Sequence, residues 1–168
     1  MTTTTLDYTI NNLSSHTGAE VHGIDLRHPI DTATRAQLNR AFVDHSVLVF
    51  RDQQLSPAQL LAAVQLFGEV FPQHNTKFSL PECPLIHYVS NQDSYPDGRR
   101  YIPGDGYHTD HSNAVEPPKA TVLHAVRLPD RGWRHAVRQH ASRLRGTSRG
   151  DEAPHRRAEG RPRLSKPL

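Results

Sequence analysis

With 168 residues, 35% of them apolar, and a mean hydropathy of −0.66, the chain has room for one ordinary domain and no stretch near the ~20 apolar residues of a membrane span. Its pI of about 9.3 comes from one end: residues 133–168 hold ten of the twenty Lys and Arg but three of the seventeen Asp and Glu, so residues 1–132 are mildly acidic and the average is no argument for a nucleic-acid-binding domain. One cysteine, Cys83, excludes an internal disulfide and a cysteine-built zinc site, and MTTTTLDYTI lacks the basic and apolar regions of a signal peptide, so a soluble, cytoplasmic protein is expected.

In chain order, residues 18–26, GAEVHGIDL, read as a short strand set between glycine turns. Asp31 is placed to cap a helix that carries Leu38, Ala41 and Phe42 on one face. Residues 47–50, VLVF, form an unbroken apolar run that predicts a buried strand. Ser56-Pro57-Ala58-Gln59 is a helix start: Ser56 caps, Pro57 takes the first helical position, where no amide is needed, and Gln59 closes a capping box. That helix presents Leu60, Leu61, Val64 and Phe67 on its apolar face, and Gly68 marks its end. Residues 85–89 and 121–128 predict two more strands. Between them the Gly-, Pro- and Asp-rich stretch 91–118 has a length typical of functional or disordered loops. From residue 133 the chain has no Phe, Tyr or Ile and no sustained period. Such a segment cannot bury enough apolar surface to offset the entropy of ordering it, so a disordered tail is expected.

The chemistry-bearing residues stand inside the long loop, in Tyr107-His108-Thr109-Asp110-His111. In extended backbone, positions i and i+2 project to one side, so His108 and Asp110 can converge on one ion. An imidazole and a carboxylate are two thirds of the facial triad that holds non-haem iron(II) and leaves positions open for substrate and oxygen. In a chain with 12 histidines a bare His-x-Asp pair is a weak signal, and its plain alternative is a polar turn in which Asp110 caps backbone amides.

The surroundings are more specific. YHTDHSNAVEPPKATVLHAVRLPDRG resembles the metal-binding segment of the taurine dioxygenase (TauD/TfdA) family of iron(II)/2-oxoglutarate-dependent dioxygenases, in which HTD or HSD is followed by a PP-x-x-T strand and an LP-x-x-GG turn. GAEVHGIDL, VLVFRDQQLSPAQL and LFGEV match the family upstream, so the resemblance covers about residues 18–132. It implies an α+β chain that is part of a double-stranded β-helix, or jelly roll, with N-terminal helices. It also implies that His108 and Asp110 take the first two iron positions and that a histidine far downstream completes the triad. In this family 2-oxoglutarate chelates the iron, a C-terminal arginine pairs with its distal carboxylate, and O2-dependent decarboxylation to succinate is coupled to hydroxylation of a small organic acid such as a sulfonate. His74 falls where some relatives place a substrate-contacting side chain. Taurine-specific relatives carry an asparagine four residues before the first iron ligand, and Gly104 stands there instead, so another sulfonate, a carboxylate or an aryloxy acid is as well supported as taurine. His111 is expected to line the loop, His124 to be a hydrogen-bonded strand histidine, and Cys83 to be inert.

The resemblance stops between two glycines. In the family LP-x-x-GG continues into Asp-Thr, whose threonine helps hold 2-oxoglutarate, whereas here Gly132 is followed by Trp133-Arg134-His135. The tryptophan codon TGG followed by an arginine codon beginning with C reads, one base later, as GGC for glycine. Continued in that frame with third bases free, RHAVRQHASRLRGTSRG becomes DTQFANMHRAYEALPE, the family's own continuation. Residues 133–168 are therefore expected to be a frameshifted tail ending at an early stop, and residues 1–132 the N-terminal part of a dioxygenase domain. The downstream histidine, the threonine and the arginine would then be missing, and His135, His140 and His155 would be ligands only by coincidence. An inactive fragment with exposed strand edges, prone to aggregate, follows from this. Two rival readings remain: a non-catalytic body whose Arg-rich tail binds nucleic acid or other polyanions, and a two-ligand metal protein without turnover.

Overall fold

The computed structural model describes residues 7–72, 76–90, 92–99, 107–128 and 136–137. Contacts divide the chain into units 1–135 and 136–168, and every element lies in the first. His74 and, apart from Ala136 and Val137, the whole of 133–168 lie outside the described residues. No helix among them is long and apolar enough to cross a membrane.

Strand β1 (Thr9–Asn12) pairs antiparallel with β2 (Ala19–His22), and β2 pairs in parallel with β3 (Leu48–Phe50) after the crossover helix α1 (Thr32–His45). β2 is short because a glycine in the left-handed region stands at each end, Gly18 at φ 85° and Gly23 at φ 86°. At Gly23 a Cβ would come within 2.5 Å of the Asp7 carbonyl oxygen, so the close approach of the chain entering β1 also demands glycine. Along β2 the side chains alternate: Ala19 and Val21 are buried, while Glu20 on the other face pairs with Arg51 beyond β3, Nε to Oε1 3.2 Å. That guanidinium draws the Glu20 carboxyl below its ordinary pKa.

Helix α1 starts where Asp31 accepts hydrogen bonds from the amides of Ala33 and Thr34, both 2.9 Å, and ends at Ser46 in a left-handed turn whose amide donates to the Phe42 carbonyl. It buries Thr34, Leu38 and Ala41 against the sheet. Leu38 is fully buried with Val21 and Ile24, and half-buried Tyr8, Ile10, Leu26, Ile30, Leu48, Phe50 and Phe67 close around them. Burying one leucine in this way contributes about 2 kcal/mol. Helix α2 (Pro57–Val64) has its expected capping box, with Ser56 and Gln59 satisfying each other's backbone amides. The carbonyls beyond its end are taken by side chains from α1: Arg35 Nε and Asn39 Nδ2 each donate to the Leu66 oxygen at 2.9 Å, and Arg35 Nη2 donates to that of Gln65 at 3.1 Å. A 3₁₀ turn (Thr76–Phe78) leads into a separate antiparallel pair, β4 (Ser79–Leu80) and β5 (Cys83–His87).

Several expectations are corrected. Residues 121–128 form no strand: Val122, Leu123, Val126 and Leu128 are exposed, and an apolar run without a partner ladder does not make a strand. The 47–50 strand begins at Leu48 and is half-buried, because β3 is the edge of its sheet. The 85–89 strand shifts to Cys83–His87, leaving Val89 exposed. Helix α2 stops at Val64, short of Gly68, where the chain tightens into i→i−3 turns (Leu66 amide to Ala63, Phe67 amide to Val64) that set Phe67 edge-on to Phe42. β1 and β4 are strands that the hydrophobic pattern did not reveal. Among the described residues the strands make two small sheets beside two helices.

Candidate metal centre

The loop carrying the His-x-Asp pair is tied down at several points. His111, half-buried and in a left-handed turn at φ 50°, lies against Phe71 with ring centroids 5.0 Å apart, and its carbonyl accepts from the Ala114 amide at 2.9 Å. After Pro117 and Pro118, Lys119 Nζ donates to Asn39 Oδ1 of α1 at 2.6 Å and to the Phe67 carbonyl at 3.2 Å, adding a cation beyond the end of α2. His124 Nε2 lies 2.9 Å from the Gln53 carbonyl oxygen, and since a carbonyl only accepts, Nε2 is the protonated nitrogen. Gln53 is a hub: its Oε1 accepts from the Leu26 amide at 2.9 Å, and its Nε2 donates to the carbonyls of Ile24 and Arg51.

Within this frame His108 and Asp110 come together, Nε2 to Oδ1 3.3 Å, with side chains 55% and 43% exposed. The other carboxylate oxygen, Oδ2, accepts from Thr121 Oγ1 at 2.7 Å. Two cis ligands at about 2.1 Å from one octahedral ion are about 3.0 Å apart, so this spacing needs only a small adjustment to hold a divalent cation. The donor set of one imidazole and one carboxylate suits iron(II), and the exposure leaves room for further ligands. An imidazole nitrogen coordinates only through its lone pair, so Nε2 must carry no proton to serve as a ligand.

Among the described residues no group of three His, Cys, Asp or Glu side chains converges, so the pair has no third ligand there. His111 packs on Phe71 and His124 is engaged with Gln53, so neither joins it. His124 is hydrogen-bonded as expected, though outside any strand. Cys83 is a buried free thiol. Sequence reasoning missed Thr121, Lys119 and Gln53, whose bonds to Asp110, Asn39 and Leu26 span 11, 80 and 27 residues; the PP-x-x-T pattern was the one available signal, for Thr121.

The chain is similar to proteins of known family. The family model for the taurine catabolism dioxygenase TauD, TfdA family matches residues 9–137, more than three quarters of the chain. An alkylsulfatase of Acinetobacter baylyi is 28% identical over 124 residues, covering 73% of this chain and 37% of that protein. An alpha-ketoglutarate-dependent sulfate ester dioxygenase of Pseudomonas putida is 26% identical over 137 residues, covering 76% and 40%. Among solved structures, a taurine dioxygenase from Burkholderia xenovorans is 31% identical, covers 52% of this chain and 31% of its own, and superposes with a TM-score of 0.47. The chain thus spans about two fifths of the length of the curated relatives it matches.

Proposed function

The chain belongs to the TauD/TfdA dioxygenase family, and from that premise we propose that it carries the first two metal ligands, His108 and Asp110, of an iron(II)/2-oxoglutarate-dependent dioxygenase. The observation that carries the reading is the approach of His108 Nε2 and Asp110 Oδ1 to 3.3 Å on a loop that Lys119 ties to Asn39 of α1 and to the Phe67 carbonyl beyond the end of α2. Iron(II), with 2-oxoglutarate and O2 as co-substrates, would supply the oxidising chemistry. The protein's own part is narrower. His108 offers a neutral nitrogen, Asp110 offers a negative charge that offsets part of the cation's, and the exposure of both leaves coordination positions open.

The sulfate-ester names of the two curated relatives support an organic acid with a sulfate or sulfonate end as substrate, and Gly104 in place of asparagine points away from taurine itself. Residues 121–128, apolar-rich and without a partner ladder among the described residues, fit a strand of a double-stranded β-helix. The family match ends at residue 137, and we read 133–168 as out of frame. Without the downstream histidine, threonine and arginine the chain by itself binds iron(II) weakly and does not decarboxylate 2-oxoglutarate. Succinate formed above a metal-only control, and lost in His108→Ala, would overturn that inactivity. The nucleotide sequence near codon 133 tests the frameshift directly: without one extra base, or two missing, the tail is genuine.

A further inference from the structure

We propose that Thr121 is the positioning residue for Asp110, a role that rests on reading His108 and Asp110 as metal ligands. The two oxygens of this carboxylate have separate surroundings. Oδ2 accepts the Thr121 hydroxyl at 2.7 Å, and Oδ1 faces His108 Nε2 at 3.3 Å. A hydroxyl has one proton, and giving it to Oδ2 fixes the rotation of the carboxylate while leaving the lone pairs of Oδ1 for an ion. Ligating carboxylates are commonly held in this way, and the holder sets how much of their rotational freedom must be lost on binding.

Thr121 is the better-anchored partner of the two. Two residues before it, Lys119 is bonded to Asn39 and to the Phe67 carbonyl, and three residues after it His124 is bonded to the Gln53 carbonyl. Pro117 and Pro118 restrict φ just upstream, and the β-branched threonine is itself stiff at χ1. Asp110 sits on an irregular turn and has a half-exposed side chain. The hydroxyl thus transmits the position of α1, of the turn at Phe67 and of Gln53, through the 119–124 segment, to the carboxylate that faces His108.

The test is cobalt(II) titration of the full chain, followed by its visible absorption, with urea unfolding measured in parallel. Thr121→Val, which keeps the shape and removes the hydroxyl, should weaken cobalt binding about tenfold, the usual scale for losing a hydrogen bond behind a metal ligand. Thr121→Ser should restore it, and both variants should keep the wild-type urea midpoint. Unchanged cobalt affinity in Thr121→Val, while Asp110→Asn abolishes binding, would overturn the role of Thr121 and leave the two-ligand reading intact. If Thr121→Val loses affinity and stability together and Thr121→Ser rescues neither, the contact is only structural and the proposal fails. Cobalt binding by the wild type that is insensitive to Asp110→Asn would remove the site, and this proposal with it.

Discussion

Replacing Leu38 by alanine tests whether one small cluster holds the described body together. Leu38, on α1, is fully buried, and the large apolar side chains buried with it are Val21 of β2 and Ile24. A leucine-to-alanine change in a core costs the lost transfer energy plus a cavity term, within a range of about 2.7–5 kcal/mol. Here the surrounding Tyr8, Ile10, Leu26, Ile30, Leu48, Phe50 and Phe67 are half-buried and can partly relax into the space, so the expected cost is about 3 kcal/mol. A body of this size with so few fully buried large side chains should hold about 5 kcal/mol in total. Leu38→Ala would therefore remove about half the stability. In urea monitored by far-ultraviolet circular dichroism, with a slope of about 1.5 kcal/mol per molar, the midpoint should fall by about 2 M. Leu38→Met, which keeps the volume, should cost less than about 1.5 kcal/mol. A drop below about 0.5 M in Leu38→Ala with an unchanged slope would refute the assignment of the core to this cluster.

Gln53→Ala should cost about 1–3 kcal/mol, because it strands the Leu26 amide and the Ile24 carbonyl, and Gln53→Glu should also destabilise, since a carboxylate cannot donate to the Ile24 and Arg51 carbonyls; an unchanged urea midpoint in both would count against the hub. Asp31 titrates below its ordinary 3.8, chiefly through the Thr34 hydroxyl and then the Thr34 and Ala33 amides, so its contribution to α1 is fully present above that value and is lost as the pH falls through the lowered folded-state pKa. Asp31→Asn should accordingly flatten the loss of stability below pH 3.8, and identical acid profiles for variant and wild type would refute the charged cap.

The helix starts were legible because their causes are local. Asp31 reaches amides two and three residues on, and Ser56 and Gln59 satisfy each other across three positions, so a short window of sequence contains the whole interaction. The approach of His108 to Asp110 was legible for the same reason, since they are two residues apart and their 3.3 Å spacing needs little beyond the local backbone. What holds that pair was not legible. Thr121 meets Asp110 from eleven residues away, His124 meets Gln53 from 71, and Lys119 meets Asn39 from 80. No local period records such pairings, because they exist only after α1, α2 and the loop are packed. The apolar run 121–128 makes the same point from the other side. Its apolar, β-branched composition suits a strand, yet a strand is a hydrogen-bonded ladder between two segments, and among the described residues no segment pairs with it. Sequence by itself determined the capped helices and the nearness of His108 to Asp110; tertiary structure decided where the strands begin and what holds Asp110, because both depend on partners distant in the chain.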